Sequence, residues 1–166
     1  TGLEAVMVPM VDTVEQARQV VRAVRFPPIG QRSFGGRHAI DRLGRNYHRE
    51  AEPFVIAQIE SPEGMSHARE IIGLQGIDML LLGNVDWTLR KGLPREKAKF
   101  TPDSESLVQM KELCRICADA GKYAGCLAPS KEAFELCREA GCRLLTVGSD
   151  VDIMARGFEA WRNGMG

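Results

Sequence analysis

Two acidic residues each stand where an apolar run of the chain comes to its end. Glu60 closes the run 54–59, and Asp86 follows the run 77–82 after a short loop. Carboxylates at the carboxyl ends of successive parallel strands would lie close together, and their oxygens are the ligands that hard divalent cations prefer. The spacing therefore predicts a divalent-cation site at the mouth of an α/β barrel. The competing interpretation is that both acids cap the helices that follow.

Apolar strands and amphipathic helices alternate along the chain, and this alternation would position the two acids. Each helical segment shows 3.6-residue periodicity, a capping residue or a glycine stop. The predicted strands cover residues 3–8, 54–60, 77–82, 123–127 and 143–147. The predicted helices cover about 14–25, a segment opening at 61–63, 102–120, 131–140 and 150–163. Residues 31–52 and 87–100 are predicted to be loops, the first with a short helix.

This order of elements predicts a parallel sheet with right-handed crossovers. The strands are apolar throughout, as expected when both faces of a sheet are covered. Two closures remain open: an open doubly wound sheet, or part of a (β/α)8 barrel, which when complete takes about 250 residues. No GxGxxG or GxxxxGK[ST] motif follows any strand, which weakens the nucleotide-binding version.

Composition narrows the functional classes. The 166 residues carry a formal net charge of zero, so nothing suggests a nucleic-acid or anionic-membrane partner. No apolar run reaches the length of a membrane span, and no signal peptide is visible. An odd count of five cysteines favours reduced thiols and a cytoplasmic protein. The CxxC formed by Cys114 and Cys117 lies in a helical pattern and is interpreted as core packing.

Six stretches of the chain resemble one family, the HpcH/HpaI aldolases, which are metal-dependent class II aldolases of the phosphoenolpyruvate/pyruvate barrel superfamily. They are VMVPMVDTVEQA (6–17), RFPPIGQRSFGG (25–36), AQIESPEG (57–64), GIDMLLLGNVDW (76–87), AGKYAGCLAP (120–129) and LLTVGSDVDIMARG (144–157). The resemblance implies a (β/α)8 TIM barrel to which this chain contributes roughly strands four to eight. Residues 1–166 would then form a single aldolase barrel domain that is incomplete at its amino-terminal end.

The resemblance also assigns site residues. The metal-binding acids of the family fall on Glu60 and Asp86, and its substrate-contacting glutamine falls on Gln58. Strand alternation agrees, because Gln58 and Glu60 point to the same side of one strand. The backbone around Gly83, Val85 and Asp86 matches the segment that holds the substrate carboxylate, an anion at a helix N-terminus.

The chain departs from the family in two respects. The usual pattern Gly-Pro-x-Asp-Leu-Ser is here Gly83-Asn84-Val85-Asp86-Trp87-Thr88, which keeps the metal ligand and changes the loop. The family's catalytic histidine, its carboxylate partner and an arginine that holds the keto oxygen come from the first three units. None of His38, His48 and His67 matches that histidine, and His67 is predicted to lie on a helix surface. No catalytic acid–base residue is therefore assigned.

The activity implied by the resemblance is cleavage of a 4-hydroxy-2-oxo acid to pyruvate and an aldehyde. A divalent cation, Mg²⁺ or Mn²⁺ with Co²⁺ or Zn²⁺ as alternatives, would stabilise the pyruvate enolate. The implied partners are these small molecules and further copies of the chain, with the last helix contributing to a homo-oligomer. Two alternatives stay open: a citrate-lyase-like enzyme acting on an acyl-CoA, and a non-catalytic remnant that binds metal or a partner.

The segment 31–52 is rich in arginine and lies where an active-site loop could be. Arg32, Ser33, Arg37, Arg42 and Arg45 are candidates for contact with an acidic aldehyde or a neighbouring subunit. The alternative is a solvated loop.

Overall fold

The structure, a computed structural model, describes residues 3–50 and 52–165. The strands are β1 (Ala5–Val8), β2 (Phe54–Ile59), β3 (Met79–Leu82), β4 (Tyr123–Leu127) and β5 (Leu144–Thr146). The helices are α1 (Val14–Val24), α2 (Arg37–Leu43), α3 (Tyr47–Glu50), α4 (Pro62–Gly73), α5 (Asn84–Arg90), α6 (Glu105–Asp119), α7 (Lys131–Glu139) and α8 (Asp150–Asn163), with a 3₁₀ turn at Arg95–Ala98.

The five strands form one parallel sheet in which the spatial order is the chain order, β1-β2-β3-β4-β5. A doubly wound sheet reverses its strand order at a switch point, whereas a barrel wall adds each new strand on the same side. The order therefore decides between the two closures in favour of a barrel wall.

The two faces of the sheet are covered to different extents. Val55, Ala57 and Ile59 point outwards and pack with the helices in the main core. Ile56, Met79 and Leu81 point inwards and form a smaller cluster. Met7 and Tyr123, which the strand register places on this inner face, are 41% and 52% exposed. An inner face that is partly open agrees with the expectation for a partial barrel.

The amino ends of the strands are fixed by a charged network centred on Arg25, which is buried just after α1. Its guanidinium donates to the carbonyl of Gly76 at 3.0 Å, to Glu52 at 2.9 Å and to Asp78. The arginine-rich segment starts and ends at this network. It therefore lies at the opposite end of the strands from Glu60 and Asp86, because a helix-to-strand connection meets a strand at its amino end. The interpretation as an active-site loop of the same chain is not supported.

Several element boundaries differ from the sequence prediction. Four of the five strands are one or two residues shorter than predicted, β4 has its predicted bounds, and the segment 31–52 contains two short helices instead of one. Residues 84–90 form α5, so the beginning of the predicted loop 87–100 is helical. Trp87 and Thr88 are buried and pack this short helix onto the fold. All five cysteines are buried and free, so Cys114 and Cys117 are core residues as predicted. In the described part of the chain, no helix has the length and apolarity needed to cross a membrane.

Candidate metal centre

Strand β2 brings the first two candidate residues to the carboxyl end of the inner face. Gln58 and Glu60 alternate with the outward-facing Ile59, so both side chains point inwards. Glu60 is buried, and its Oε2 accepts a hydrogen bond from the backbone N–H of Met10 at 2.7 Å. The helix that follows is capped by Ser61, whose hydroxyl accepts from the N–H of Gly64 at 2.9 Å. The interpretation of Glu60 as a helix cap is therefore wrong.

Gly83 allows the side chains of β2 to reach across to β3. A Cβ atom at this position would lie 2.6 Å from Cγ and 2.7 Å from Oε1 of Glu60, and 3.0 Å from Nε2 of Gln58. Distances this short show that the two side chains lie directly against the Gly83 backbone. The structure thus brings together Gln58, Glu60 and Gly83, three residues that the sequence analysis assigned to one site.

Asp86 lies in the first turn of α5, three residues after Gly83 at the N-cap. The interpretation of Asp86 as the cap is wrong, because Gly83 is the N-cap and no side chain makes a cap hydrogen bond to α5. An acid in the first turn still favours the helix through its dipole. Asp86 is also close enough to Glu60 for its charge to raise the pKa of that carboxyl. Unlike Glu60, Asp86 is exposed to solvent. The pair therefore combines one buried and one open carboxylate.

The backbone N–H groups of Val85 and Asp86 belong to the same first turn. The first N–H groups of a helix have no intrahelical acceptor and are available to another partner. The side chain of Asn84, which replaces the family's proline, donates to the carbonyl of Ala98. This bond fastens the start of α5 to the 3₁₀ turn, so the altered loop is held by a contact of its own.

Two residues that the sequence analysis did not assign to the site also join it. Asp12 and Thr13 both precede α1 and are residue types that can cap a helix, and Thr13 with Gln16 forms the complete capping box. Asp12 is buried and accepts from the hydroxyl of Ser61 and from the guanidinium of Arg90. The capping box was the sequence signal that Asp12 was free for another role. No sequence pattern indicated that Arg90 would lie near the site.

The pKa of Glu60 is raised above its ordinary value. Burial is the largest cause, and repulsion from Asp86 and Asp12 adds to it. The N–H of Met10 and the charge of Arg90 act in the opposite direction. A carboxyl whose pKa is higher in the folded than in the unfolded state favours folding when protonated. Its contribution to stability is lost as the pH rises through the folded-state pKa.

The first prediction follows from this sign. In EDTA at pH 7.5 we expect Glu60→Gln to have a higher melting temperature than the parent protein, because an amide carries no charge to be buried. Each kcal/mol gained in the free energy of unfolding should raise the melting temperature by about 2–4 °C. The difference should shrink as the pH is lowered towards 5. Thermal unfolding at both pH values measures it, with Glu70→Gln on the exposed face of α4 as control. A parent protein that melts above Glu60→Gln at pH 7.5 would contradict the assignment of a costly buried carboxylate.

The donor set suits a hard cation that keeps part of its water shell. No group of three or more histidine, cysteine, aspartate or glutamate side chains is arranged to hold a metal within residues 3–50 and 52–165. Mg²⁺ is commonly bound by one or two carboxylates, with water and substrate as its other ligands. Glu60 and Asp86 match that requirement, and Glu60 keeps Oε1 on the side facing Gly83 while Oε2 is held by Met10.

A cleft of about 570 Å³ borders this site. It opens between α5 and the start of α7, and it is lined at the site end by Asn84 and Val85 and on the far side by Leu127, Pro129 and Ser130. Its volume lies in the range typical of small-molecule sites. Glu60 and Gln58 do not line it, so it adjoins the carboxylate pair at Val85 without containing the pair.

Five consecutive βα units with paired acids at the carboxyl ends of two strands define an α/β half-barrel with a candidate cation site at its mouth. The chain belongs to the HpcH/HpaI aldolase/citrate lyase family, which matches residues 1–156. It is 36% identical over 160 residues to a hydroxypyruvate/pyruvate aldolase of Delftia acidovorans, covering 92% of this chain and 57% of that protein. It is 36% identical over 163 residues to a 2-keto-3-deoxy-L-rhamnonate aldolase of Klebsiella pneumoniae, covering 95% and 60%.

The fold agrees with this family. A crystal structure of a HpcH/HpaI aldolase/citrate lyase family protein from Burkholderia cenocepacia superposes with a TM-score of 0.81 at 30% identity, over 98% of this chain and 65% of that one. The five strands therefore form a curled parallel half-barrel. The chain spans about three fifths of the length of the curated relatives that it matches.

Proposed function

We propose that this chain supplies the metal- and pyruvate-binding half of a class II aldolase. The reaction would be cleavage of a 4-hydroxy-2-oxo acid into pyruvate and an aldehyde, or the reverse addition. The observation that carries the proposal is the convergence of Gln58 and Glu60 on Gly83, with Asp86 within electrostatic reach of Glu60. Relatives of 36% identity are named as a hydroxypyruvate/pyruvate aldolase and a 2-keto-3-deoxy-L-rhamnonate aldolase, which supports it.

Each residue has a distinct task in this proposal. Glu60 and Asp86 hold a divalent cation, which when bound supplies Lewis-acid stabilisation of the negative charge that develops on the keto oxygen. Gln58, next to Glu60 on the inner face, orients pyruvate. The N–H groups of Val85 and Asp86 receive its carboxylate at the start of α5. The cleft beyond Val85 offers room for the aldehyde portion.

The proton acceptor that the reaction needs is proposed to lie in further βα units of a complete barrel, in which these five strands would be the fourth to eighth. His67 is half-buried, not on the surface as predicted, and its Nδ1 lies 2.9 Å from the carbonyl oxygen of Asp12. His38 and His48 belong to the arginine-rich segment at the other end of the strands. Among the described residues, none of the three histidines hydrogen-bonds to Glu60 or Asp86.

The test is exchange of the pyruvate methyl protons for deuterium in D₂O, followed by NMR. Exchange in the presence of Mg²⁺ or Mn²⁺ that stops on addition of EDTA is the expected result for the protein with a complete barrel. If the protein binds Mn²⁺ and exchanges no protons, the non-catalytic alternative replaces the proposal. If it neither binds Mn²⁺ nor exchanges protons, the metal site itself is refuted.

We also propose that the protein is a homo-oligomer in which α8 packs on a second copy. Every side chain of α8 is exposed, including Val151, Met154, Phe158 and Trp161. Their spacing of three and four residues places them in one apolar stripe, which does not pack on the barrel wall of its own chain.

For this proposal we expect the double substitution Phe158→Glu and Trp161→Glu to lower the oligomeric state, because two charges would have to be buried in the contact. Sedimentation velocity measures it, with Arg162→Glu as a charge-changing control on the same helix. A parent protein that is already a stable monomer with a cooperative melt would contradict the proposal.

A further inference from the structure

Asp12 is a buried carboxylate that does not cap α1 and has no task in the proposed reaction. It is 7% exposed and follows β1 in the loop that leads to α1. Thr13 caps α1 in its place. Buried charges are costly unless they are paired, so a carboxylate at this depth requires an explanation.

Its partners flank the two acids of the candidate metal centre. The hydroxyl of Ser61, the residue after Glu60, donates to Oδ1 of Asp12. Arg90 lies one helical turn after Asp86 on α5, and its Nη1 lies 2.8 Å from Oδ2 and 3.1 Å from Oδ1 of Asp12. Asp12 thus connects the residue next to one acid with the helix that carries the other.

The same loop is fastened to β2 through its backbone. The N–H of Met10, a residue in the left-handed region with φ of 58°, donates to Glu60, and the N–H of Val11 donates to the carbonyl of Gln58 at 3.1 Å. Nδ1 of His67 contacts the carbonyl of Asp12 at 2.9 Å. The position of the Asp12 carboxylate is therefore set by contacts on both sides of it.

Arg90 has a second possible partner on its own helix. Asp86 and Arg90 are four residues apart, the spacing at which an acid and a base on one helix face pair with each other. Within the described residues, Asp86 makes no salt bridge. Arg90 pairs instead with Asp12, 78 positions away in the chain. Arg90 therefore pairs with the more buried acid, Asp12, and the exposed Asp86 has no salt-bridge partner among the described residues.

We propose that Asp12 is a positioning residue that holds Arg90 away from Asp86, so that both carboxylates of the Glu60–Asp86 pair remain available to a divalent cation. The inference rests on the proposed function, because it assigns a cation to that pair. Without Asp12, Arg90 would pair with Asp86 and occupy the carboxylate in place of the metal. The arginine would then act as an internal competitor of the cation.

The test compares Mn²⁺ affinities, measured by electron paramagnetic resonance of the free ion, for the parent protein, Asp12→Asn, Arg90→Gln and the double variant. Asp12→Asn should weaken Mn²⁺ binding by about 10-fold or more, the size seen when residues supporting metal ligands are lost. Arg90→Gln should bind at least as tightly as the parent. Adding Arg90→Gln to Asp12→Asn should restore affinity to within about threefold of Arg90→Gln alone, since a factor of three is below 1 kcal/mol.

If the ion pair between Asp12 and Arg90 only stabilised the fold, the Mn²⁺ affinities of the variants would follow a different pattern. Arg90→Gln would then weaken binding as much as Asp12→Asn, and the double variant would recover nothing; either result overturns the proposal. If Asp12→Asn does not fold, as judged by its melting curve in EDTA, the Arg90→Gln affinity decides alone. Arg69→Gln is the matched control, because Arg69 forms an exposed ion pair with Asp119 at 3.1 Å on other helices. A parent protein that binds no Mn²⁺ would instead refute the proposed function.

Discussion

Replacing Asp86 by asparagine should lower the affinity for Mn²⁺ by about 100-fold or more while leaving the fold intact. The amide keeps the shape of the side chain and removes the charge of one of the two proposed carboxylate ligands. A hydrogen bond to a charged group contributes about 1.5–3 kcal/mol, and we expect the contact between a carboxylate and a divalent cation to contribute at least as much. Each 1.4 kcal/mol is a factor of ten in affinity. If the proposed function is correct, metal-dependent turnover should fall with the affinity. Glu60→Gln should give a loss of the same size.

The control for this prediction is Glu63→Gln. Glu63 stands in the first turn of α4 as Asp86 stands in the first turn of α5, and it is exposed. Both substitutions remove a favourable helix-dipole contact of about 0.3–1 kcal/mol. Only Asp86→Asn removes a proposed ligand. Calorimetric titration with Mn²⁺ separates the two effects, and unchanged affinity in both Asp86→Asn and Glu60→Gln would remove the site assignment.

Replacing Gly83 by alanine should damage both the site and the stability of the protein. The added methyl group would lie 2.6 Å from Cγ of Glu60 and 3.0 Å from Nε2 of Gln58, so both side chains would have to move. Glu60 is buried and has little space to do so. Overpacking of this kind costs about 1–3 kcal/mol. We expect a lower melting temperature in EDTA, by about 2–4 °C for each kcal/mol lost from the free energy of unfolding. We also expect weaker Mn²⁺ binding.

Gly73→Ala is the matched control for that substitution. Gly73 ends α4, and a Cβ atom there would meet no heavy atom within 4 Å. Alanine in a helix is favoured over glycine by about 0.5–1 kcal/mol, so this variant should be as stable as the parent or more so. If Gly83→Ala bound Mn²⁺ and melted like Gly73→Ala, the close packing of Gln58 and Glu60 against Gly83 would be incorrect.

The sequence by itself was sufficient for the features that depend on neighbouring residues. Five apolar runs with capped helices between them predicted the parallel strands, and β4 was predicted with its observed bounds. The two-residue period of a strand placed Gln58 and Glu60 on one side. The acids after two successive strands predicted the carboxylate pair, because parallel strands end at the same edge of a sheet.

Other features depended on contacts between residues far apart in the chain. Local pattern makes Asp12, next to Thr13, only a candidate for capping α1, whereas its observed partners Ser61 and Arg90 are 49 and 78 positions away. Residues 84–90 resembled a loop until the burial of Trp87 showed why α5 forms.

The sequence thus determined the class of elements and pointed to Glu60 and Asp86 as neighbouring acids, through periodicity and capping chemistry that act over a few residues. Only the tertiary structure decided that residues 84–90 form a helix and which acid Arg90 pairs with. The physical reason is that an ion pair forms between whichever groups the fold brings within about 4 Å, and sequence separation does not set that distance.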